Sequence, residues 1–375
     1  MQKRREFLTC LAGVLAQPAV AQDRAAIREE WRNRQSGMAY RRLGRTGFMI
    51  SEVVMGGNTI APDNHDHVLL AIDMGLNYLD TAPAYGRGAS ESGYSAVIKA
   101  RKRQTFFLNT KVSLWDINRD RLYREIFDSL PQPEQAKLRN EAAEEVVRRK
   151  ANEPDYFCNY FSGQRGEMEA ACLANVMEKK YGRKIDRAKN YKRLILDSID
   201  QSLQRLGTDH LDLMMCPHGA STPYELLNYP EIFEAFESLK KAGKVRHLGV
   251  SSHSDPAGIL EAAVEAKVYS AAMVAYNIVN GRYVSRALEA AKKSDLGVIA
   301  MKVARPVYHG RKTGQPNDPQ RVRMVEQAVA GPWKIPQKAY LWALRNPNLS
   351  AVISEMTGAA LVKENLPLAG RGTAV

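Results

Sequence analysis

From Met38 onward the chain alternates short apolar runs with longer stretches whose apolar residues recur at helical spacing, the two separated by Gly, Asn, Asp or Pro. Eight runs read as strands: SEVVMGG (51–57), NYLDTA (77–82), TFFLNTKV (105–112), HLDLMMC (210–216), VRHLGVSS (245–252), SAAMVAY (270–276), GVIAMKV (297–303) and SAVISEM (350–356). Helical periodicity follows over 65–75, 90–101, 190–206, 230–242, 255–266, 283–294, 336–346 and 358–366. SLQRLG and LKKAG end in glycine, which takes the left-handed backbone of a helix C-terminus without a Cβ penalty. Eight strand–helix repeats predict an α/β chain folded as a (β/α)8 barrel. A doubly wound open sheet is the alternative. Its dinucleotide signature fails in YGRGASESG, where Glu91 stands in the place of the third glycine.

Two segments interrupt the rhythm. The first, about 113–189, is rich in helix formers and carries the aromatic cluster DYFCNYF at 155–161; the second, 304–320, is rich in Gly, Pro and basic residues. Both follow a strand, which in a barrel puts them on the catalytic face, as lids or substrate walls. The aromatic cluster has two readings, a stacking face for a sugar ring or the lid's own core, and packing is the commoner fate of such stripes.

The start of the chain has a different pattern. MQKRREFLTCLAGVLAQPAVAQ has a basic start, an apolar stretch and Ala-Val-Ala before Gln22, so 1–21 is expected to be a cleaved signal peptide, too short to span a bilayer as a mature anchor. Arg4-Arg5 followed by Phe7-Leu8 resembles the twin-arginine signal that exports folded proteins to the periplasm. Residues 22–37 are polar and read as a linker or short surface helix, and 38–375 as the barrel.

The formal charge of +13 raises nucleic acid as a partner, but the basic residues are interleaved with acids, so a solvated surface is expected and no nucleic-acid partner. No Cys-x-x-Cys occurs, which argues against zinc ribbons and iron–sulfur clusters. Cys158 and Cys172 either pair, closing a loop worth about 3 kcal/mol, or stay free. His65, His67 and His253 lie on different loops without ligand spacing, so no metal is expected.

The residues at strand ends carry the chemistry. Asp80 and Tyr85 follow the second strand, Lys111 ends the third, and His218 lies past the fourth. A tyrosine, with a pKa near 10, is a poor acid at neutral pH. A lysine ammonium nearby favours the phenolate, an aspartate keeps that lysine charged, and an imidazole orients a substrate oxygen. Together these are what reduction of a carbonyl needs besides hydride.

YLDTAPAYGRGASESGYSAVI with NTKV after it closely resembles the aldo-keto reductases, as do YRRLGRTGFMISEVVMGGN, SIDQSLQRLGTDHLDL and KKAGKVRHLGVSSHS. The similarity runs from about Met38 to Leu366, apart from the two interruptions. It implies a nicotinamide cofactor, NAD(H) or NADP(H), across the C-terminal mouth of the barrel, with Tyr85 as proton donor, Lys111 and Asp80 tuning it and His218 directing the carbonyl. It places cofactor contacts at Gly56, Ser251, Ser252, Met301, Lys302, Glu355 and Asn365. The family's usual Asn falls on Ser252 and its Gln on Met273. The Lys and Arg that grip an adenosine 2′-phosphate fall on Glu355 and Leu361. A carboxylate repels a phosphate but accepts hydrogen bonds from a free ribose hydroxyl, which favours NAD, although Lys363, Arg311 or Lys312 are alternative phosphate partners.

An exported enzyme works away from any free nicotinamide pool, so a cofactor carried out already bound would act as a prosthetic group in an internal redox exchange. A sugar or sugar derivative is the expected substrate. The competing reading is a catalytically idle barrel serving as a binding or regulatory protein. One discrepancy remains: the family's histidine lies five residues after the strand's aspartate, and after Asp212 that place is Pro217. For His218 to reach the mouth, Pro217 must introduce a bulge, because a one-residue shift in a regular strand turns the side chain to the other face.

Overall fold

The computed structural model describes residues 27–309 and 317–372. The signal peptide read over 1–21, and Arg311 and Lys312, lie outside these residues. Eleven strands are present among the described residues: β1 (Glu30–Trp31), β2 (Tyr40–Arg42), β3 (Phe48–Ser51), β4 (Val53–Met55), β5 (Tyr78–Asp80), β6 (Phe107–Lys111), β7 (Leu211–His218), β8 (Val245–Ser252), β9 (Ala271–Ala275), β10 (Gly297–Met301) and β11 (Ala351–Ser354). Strands β4 to β11 are parallel and close into a barrel in sequence order, so each of the eight expected runs supplies one stave. A helix follows each within a few residues of the expected span, for example Asp66–Asp73, Ala89–Ala100 and Pro256–Ala266.

The period-2 pattern explains the two cores. Side chains that point inward, among them Val54, Tyr78, Phe107, Leu213, Met215, Met273, Ile299 and Met301, fill the barrel. Their outward neighbours, such as Leu108, Met214, Val250, Val274 and Val298, pack under the helices. Met273, at the place of the family's Gln, belongs to the inner layer and is 1% exposed.

Residues 27–37 are not a linker. β1 pairs with β3, β3 pairs with β2, and Leu43, Phe48 and Ile50 plug the barrel at the N-terminal ends of its strands. Arg32 bonds the Phe106 carbonyl at 2.6 Å and Asp212, and Asn33 bonds the carbonyls of Ile72 and Leu76.

The segment read as an insertion builds three helices, Trp115–Asp128, Gln132–Arg148 and Gln164–Tyr181. Trp115, Tyr123, Phe127, Leu138, Met168 and Val176 are buried between them and the barrel. Cys158 and Cys172 are free thiols: Cys172 lies 3.8 Å from the Met168 sulfur, and Cys158 bonds the Asp155 carbonyl.

Candidate active site

β5 and β6 are neighbours in register, with Asp80 opposite Asn109, so two residues on along β6 Lys111 lies on the same face as Asn109. Lys111 donates to Asp80 Oδ1 at 2.5 Å and to the Thr81 carbonyl at 2.9 Å, and Asn109 donates to the same Asp80 oxygen at 2.6 Å. Asp80 and Lys111 are each 1% exposed. Gly57 has to be glycine here, because a Cβ would come within 2.1 Å of the Asp80 carbonyl oxygen.

Tyr85 opens a tight turn in which Gly86, Arg87 and Gly88 all have positive φ. This turn swings its ring back over Lys111, whose Nζ lies 4.7 Å from the ring centroid. Lys111 also reaches the Tyr85 hydroxyl. Burial pushes the Tyr85 phenol above its usual value, and the Lys111 charge offsets this only in part. The expected lowering of Tyr85 by lysine is therefore outweighed by desolvation, and the residue is a neutral phenol. Burial also opposes charge on Lys111, but Asp80 and Tyr85 together hold it above the ordinary lysine value.

The bulge is present. Met215 pairs with Gly249 while His218 pairs with Ser251, so β7 carries one extra residue against β8; the Cys216–Pro217 peptide is cis. His218 consequently faces the mouth: its ring stands edge-on to Tyr85 with centroids 6.1 Å apart, and its Nδ1 lies 2.8 Å from Ser113 Oγ. Burial first, and then the Lys111 charge, push its pKa down to about 3, so it is a neutral imidazole.

The residues assigned to a cofactor also gather at this end of the barrel. Gly56 donates its N–H to the Ser354 carbonyl and approaches it closely, and Asn365 donates to the Ser354 hydroxyl at 3.1 Å. Ser251 accepts from the Gly219 N–H, while Ser252 donates to the Ala220 carbonyl at 2.6 Å, so both hydroxyls brace the loop after β7. Met301 ends the barrel's inner layer. Lys302 follows it with φ of 56° and bonds none of the described residues; burial lowers its pKa against the attraction of Glu355. Glu355 is exposed and accepts from Asn58 at 3.3 Å.

Lys302 without a hydrogen bond to the described residues, the exposed Glu355 carboxylate and the unpartnered His253 Nδ1 lie at one mouth, a donor and acceptor set that fits a ligand with both phosphate and hydroxyl groups. Among the described residues no group of three or more His, Cys, Asp or Glu is arranged to hold a metal.

The segment 155–162 lies across the same mouth. Tyr156 donates to Asp255, Asn277 donates to the Tyr160 hydroxyl at 2.8 Å, and Arg305 donates to the Tyr160 carbonyl at 3.3 Å. Tyr156, Phe157 and Tyr160 are buried, so the cluster is mainly the lid's own core and its latch to the barrel. Of the cluster's four rings only Phe161 stays half-buried, edge-on to His253 at 5.4 Å. A cleft of about 450 Å³ lies beside it, lined by Asn159, Phe161, Ser162, Arg305 and His309 among others. Sequence reasoning missed Ser113 because a lone serine carries no pattern. It missed Tyr156 and Tyr160 as latches because their partners lie about 100 or more residues away.

Similarity to known proteins follows the fold. An uncharacterized oxidoreductase of Bacillus subtilis, YqkF, is 25% identical over 218 residues, 57% of this chain and 49% of that protein. The oxidoreductase YdhF of Escherichia coli is 45% identical over 58 residues, 16% of this chain and 18% of that protein. The alignments with curated relatives thus reach about half of their length at most in these two cases. The solved holo aldo-keto reductase from Bacillus halodurans superposes with a TM-score of 0.58 at 20% identity, covering 90% of this chain and 91% of that one. The model of the aldo/keto reductase family matches residues 53–157 and 175–369, which include all eight barrel strands and Asp80, Tyr85, Lys111 and His218. The chain belongs to the aldo/keto reductase family.

Proposed function

We propose that the protein is an NAD(P)-dependent oxidoreductase that interconverts a carbonyl and an alcohol. The supporting observation is the convergence of a neutral Tyr85, a charged Lys111 paired with Asp80, and a neutral His218 on one mouth. When bound, the nicotinamide supplies or takes up hydride at the carbonyl carbon. The chain's own residues handle the proton. In reduction the Tyr85 hydroxyl gives its proton to the carbonyl oxygen, the Lys111 ammonium stabilises the phenolate left behind, and Asp80 keeps that ammonium charged. His218 donates a hydrogen bond to the carbonyl oxygen and sets its direction. Turnover of simple aldehydes and ketones by the purified protein with NADH or NADPH tests this reading. No turnover and no cofactor binding would favour an idle barrel acting as a binding protein.

Lys302, Gly56, Ser251, Ser252, Met301, Glu355 and Asn365 would hold the cofactor, with NAD favoured because of Glu355. Titration is expected to show tighter binding of NADH than NADPH, and Glu355→Lys is expected to move that ratio toward NADPH by about tenfold or more. Equal binding of both by the wild-type protein would refute the preference.

The proposal extends to export through the twin-arginine machinery to the periplasm, with the cofactor retained as a prosthetic group and no membrane anchor or nucleic-acid partner. The latched segment 155–162 supports retention because it closes part of the mouth with hydrogen bonds from three separate loops. A sugar or sugar derivative is the proposed substrate, with Phe161 as its stacking ring. Native mass spectrometry of the purified protein is expected to show a bound nicotinamide dinucleotide, and a bare chain would remove the prosthetic reading.

A further inference from the structure

We propose that Ser113 is a positioning residue that fixes the tautomer of His218, so that Nδ1 accepts a hydrogen bond and Nε2 carries the proton offered to the substrate oxygen. The proposal rests on the reading of His218 as the group that faces the carbonyl.

Ser113 is the second residue after β6 and is 7% exposed. It stands between two catalytic loops. The Ala84 N–H, one residue before Tyr85, donates to Ser113 Oγ at 3.4 Å, and His218 Nδ1 lies 2.8 Å from the same oxygen. A backbone N–H can only donate, so Ser113 Oγ is an acceptor toward Ala84. Its hydroxyl proton is then left for one further partner.

A neutral imidazole has one N–H, and the two tautomers differ in consequence. With the proton on Nε2, the bare Nδ1 accepts the serine O–H, and every polar atom of the pair is used. With the proton on Nδ1, the serine oxygen accepts twice and its own O–H has no acceptor among the described residues. A buried donor without a partner is disfavoured, so the first arrangement prevails. It is also the productive one: a carbonyl oxygen needs a donor, and only the Nε2–H form offers one on the side away from Ser113. The neutrality that the argument needs is supplied by burial and by Lys111, which keep the imidazole from taking a second proton. Ser113 thus joins the Tyr85 loop to the His218 bulge and sets the donor state of the imidazole without touching substrate.

The test uses the full protein labelled with 15N-histidine and long-range proton–nitrogen spectra near neutral pH, with His218 identified by the signal lost in His218→Gln. The wild type is expected to show His218 as the Nε2–H tautomer alone. Ser113→Ala is expected to give a mixture or the Nδ1–H form, and Ser113→Thr, which keeps the hydroxyl, to restore the wild-type state. An Nδ1–H tautomer in the wild type, or an unchanged Nε2–H state in Ser113→Ala, would overturn the proposal. In steady-state reduction, Ser113→Ala is expected to lower kcat on the order of tenfold with cofactor KM unchanged, and Ser113→Thr to recover it. A shifted tautomer with unchanged kcat would uphold the serine's control of the imidazole and refute instead the reading of His218 as the carbonyl's partner.

Discussion

Tyr85→Phe is expected to lower the rate of carbonyl reduction by about 10²–10⁴-fold, the usual contribution of a positioned general acid, while the protein keeps its fold. The substitution removes one hydroxyl. Lys111 retains Asp80 Oδ1 and the Thr81 carbonyl, so no buried charge loses its counter-ion. Lys111→Met is the poorer experiment: it would leave the Asp80 carboxylate buried and unpaired, so lost activity and lost stability would be mixed. Two readings separate the proton role of Tyr85 from a packing role. Cofactor binding should be nearly unchanged in Tyr85→Phe, whereas kcat falls. In the wild type, kcat/KM for reduction should stay level through neutral pH and fall only above the ordinary tyrosine value near 10, because burial raises Tyr85 and the acid form is the active one. The neutral His218, pushed down to about 3, adds no break between pH 5 and 8. An enzyme whose Tyr85→Phe variant reduced carbonyls at the wild-type rate would exclude Tyr85 as the proton donor.

The features legible in the sequence are those encoded by local spacing. All eight staves follow from short apolar runs, because a parallel barrel strand is buried on both faces, and their helices follow from the 3.6-residue period, because each helix buries one face. The bulge at Pro217 was also legible: a one-residue excess between Asp212 and His218 had to be absorbed if the imidazole was to face inward, and the proline marked the place. What stayed hidden depends on partners distant in the chain. Residues 27–37 are polar and look like a linker, yet Arg32 and Asn33 fold against groups up to 180 residues away. The depth of Tyr85 was equally hidden. Its neighbouring lysine suggested a lowered pKa, but the residue's desolvation is a property of the assembled mouth. DYFCNYF allowed both stacking and packing; three of its rings are buried, and hydrogen-bond partners for two of them, Asp255 and Asn277, arrive from the segments that follow β8 and β9.

The largest stability effect is expected at Asp212, which serves in the sequence only as the residue from which His218 is counted. At the closed end of the barrel its fully buried carboxylate meets three guanidinium groups: Arg32 at 2.9 Å, Arg103 at 2.7 Å and Arg246 at 2.8 Å. It also accepts the Leu108 N–H at 2.9 Å. Burial alone would raise its pKa, but Arg103 and Arg32, with the Leu108 N–H, reverse the sign and hold it below the ordinary value. Asp212→Ala removes the one anion common to the three cations. Arg32 and Arg246 keep Glu30, but Arg103 keeps only carbonyls. The expected loss is about 3–5 kcal/mol, the range for breaking a buried ion pair on one side, read as a lower urea midpoint at unchanged slope. The pH dependence has a fixed sign. Because the folded pKa lies below the unfolded one, near 3.9, the contribution is complete above about pH 4 to 5 and is lost as pH falls through the folded value. Wild-type stability should therefore drop more steeply on acidification than that of Asp212→Ala, and the two curves should converge in acid. Parallel curves, or a variant as stable as the wild type at neutral pH, would show that the cluster is held by its arginine–carbonyl bonds and by packing against Phe48 and Phe107 rather than by the carboxylate.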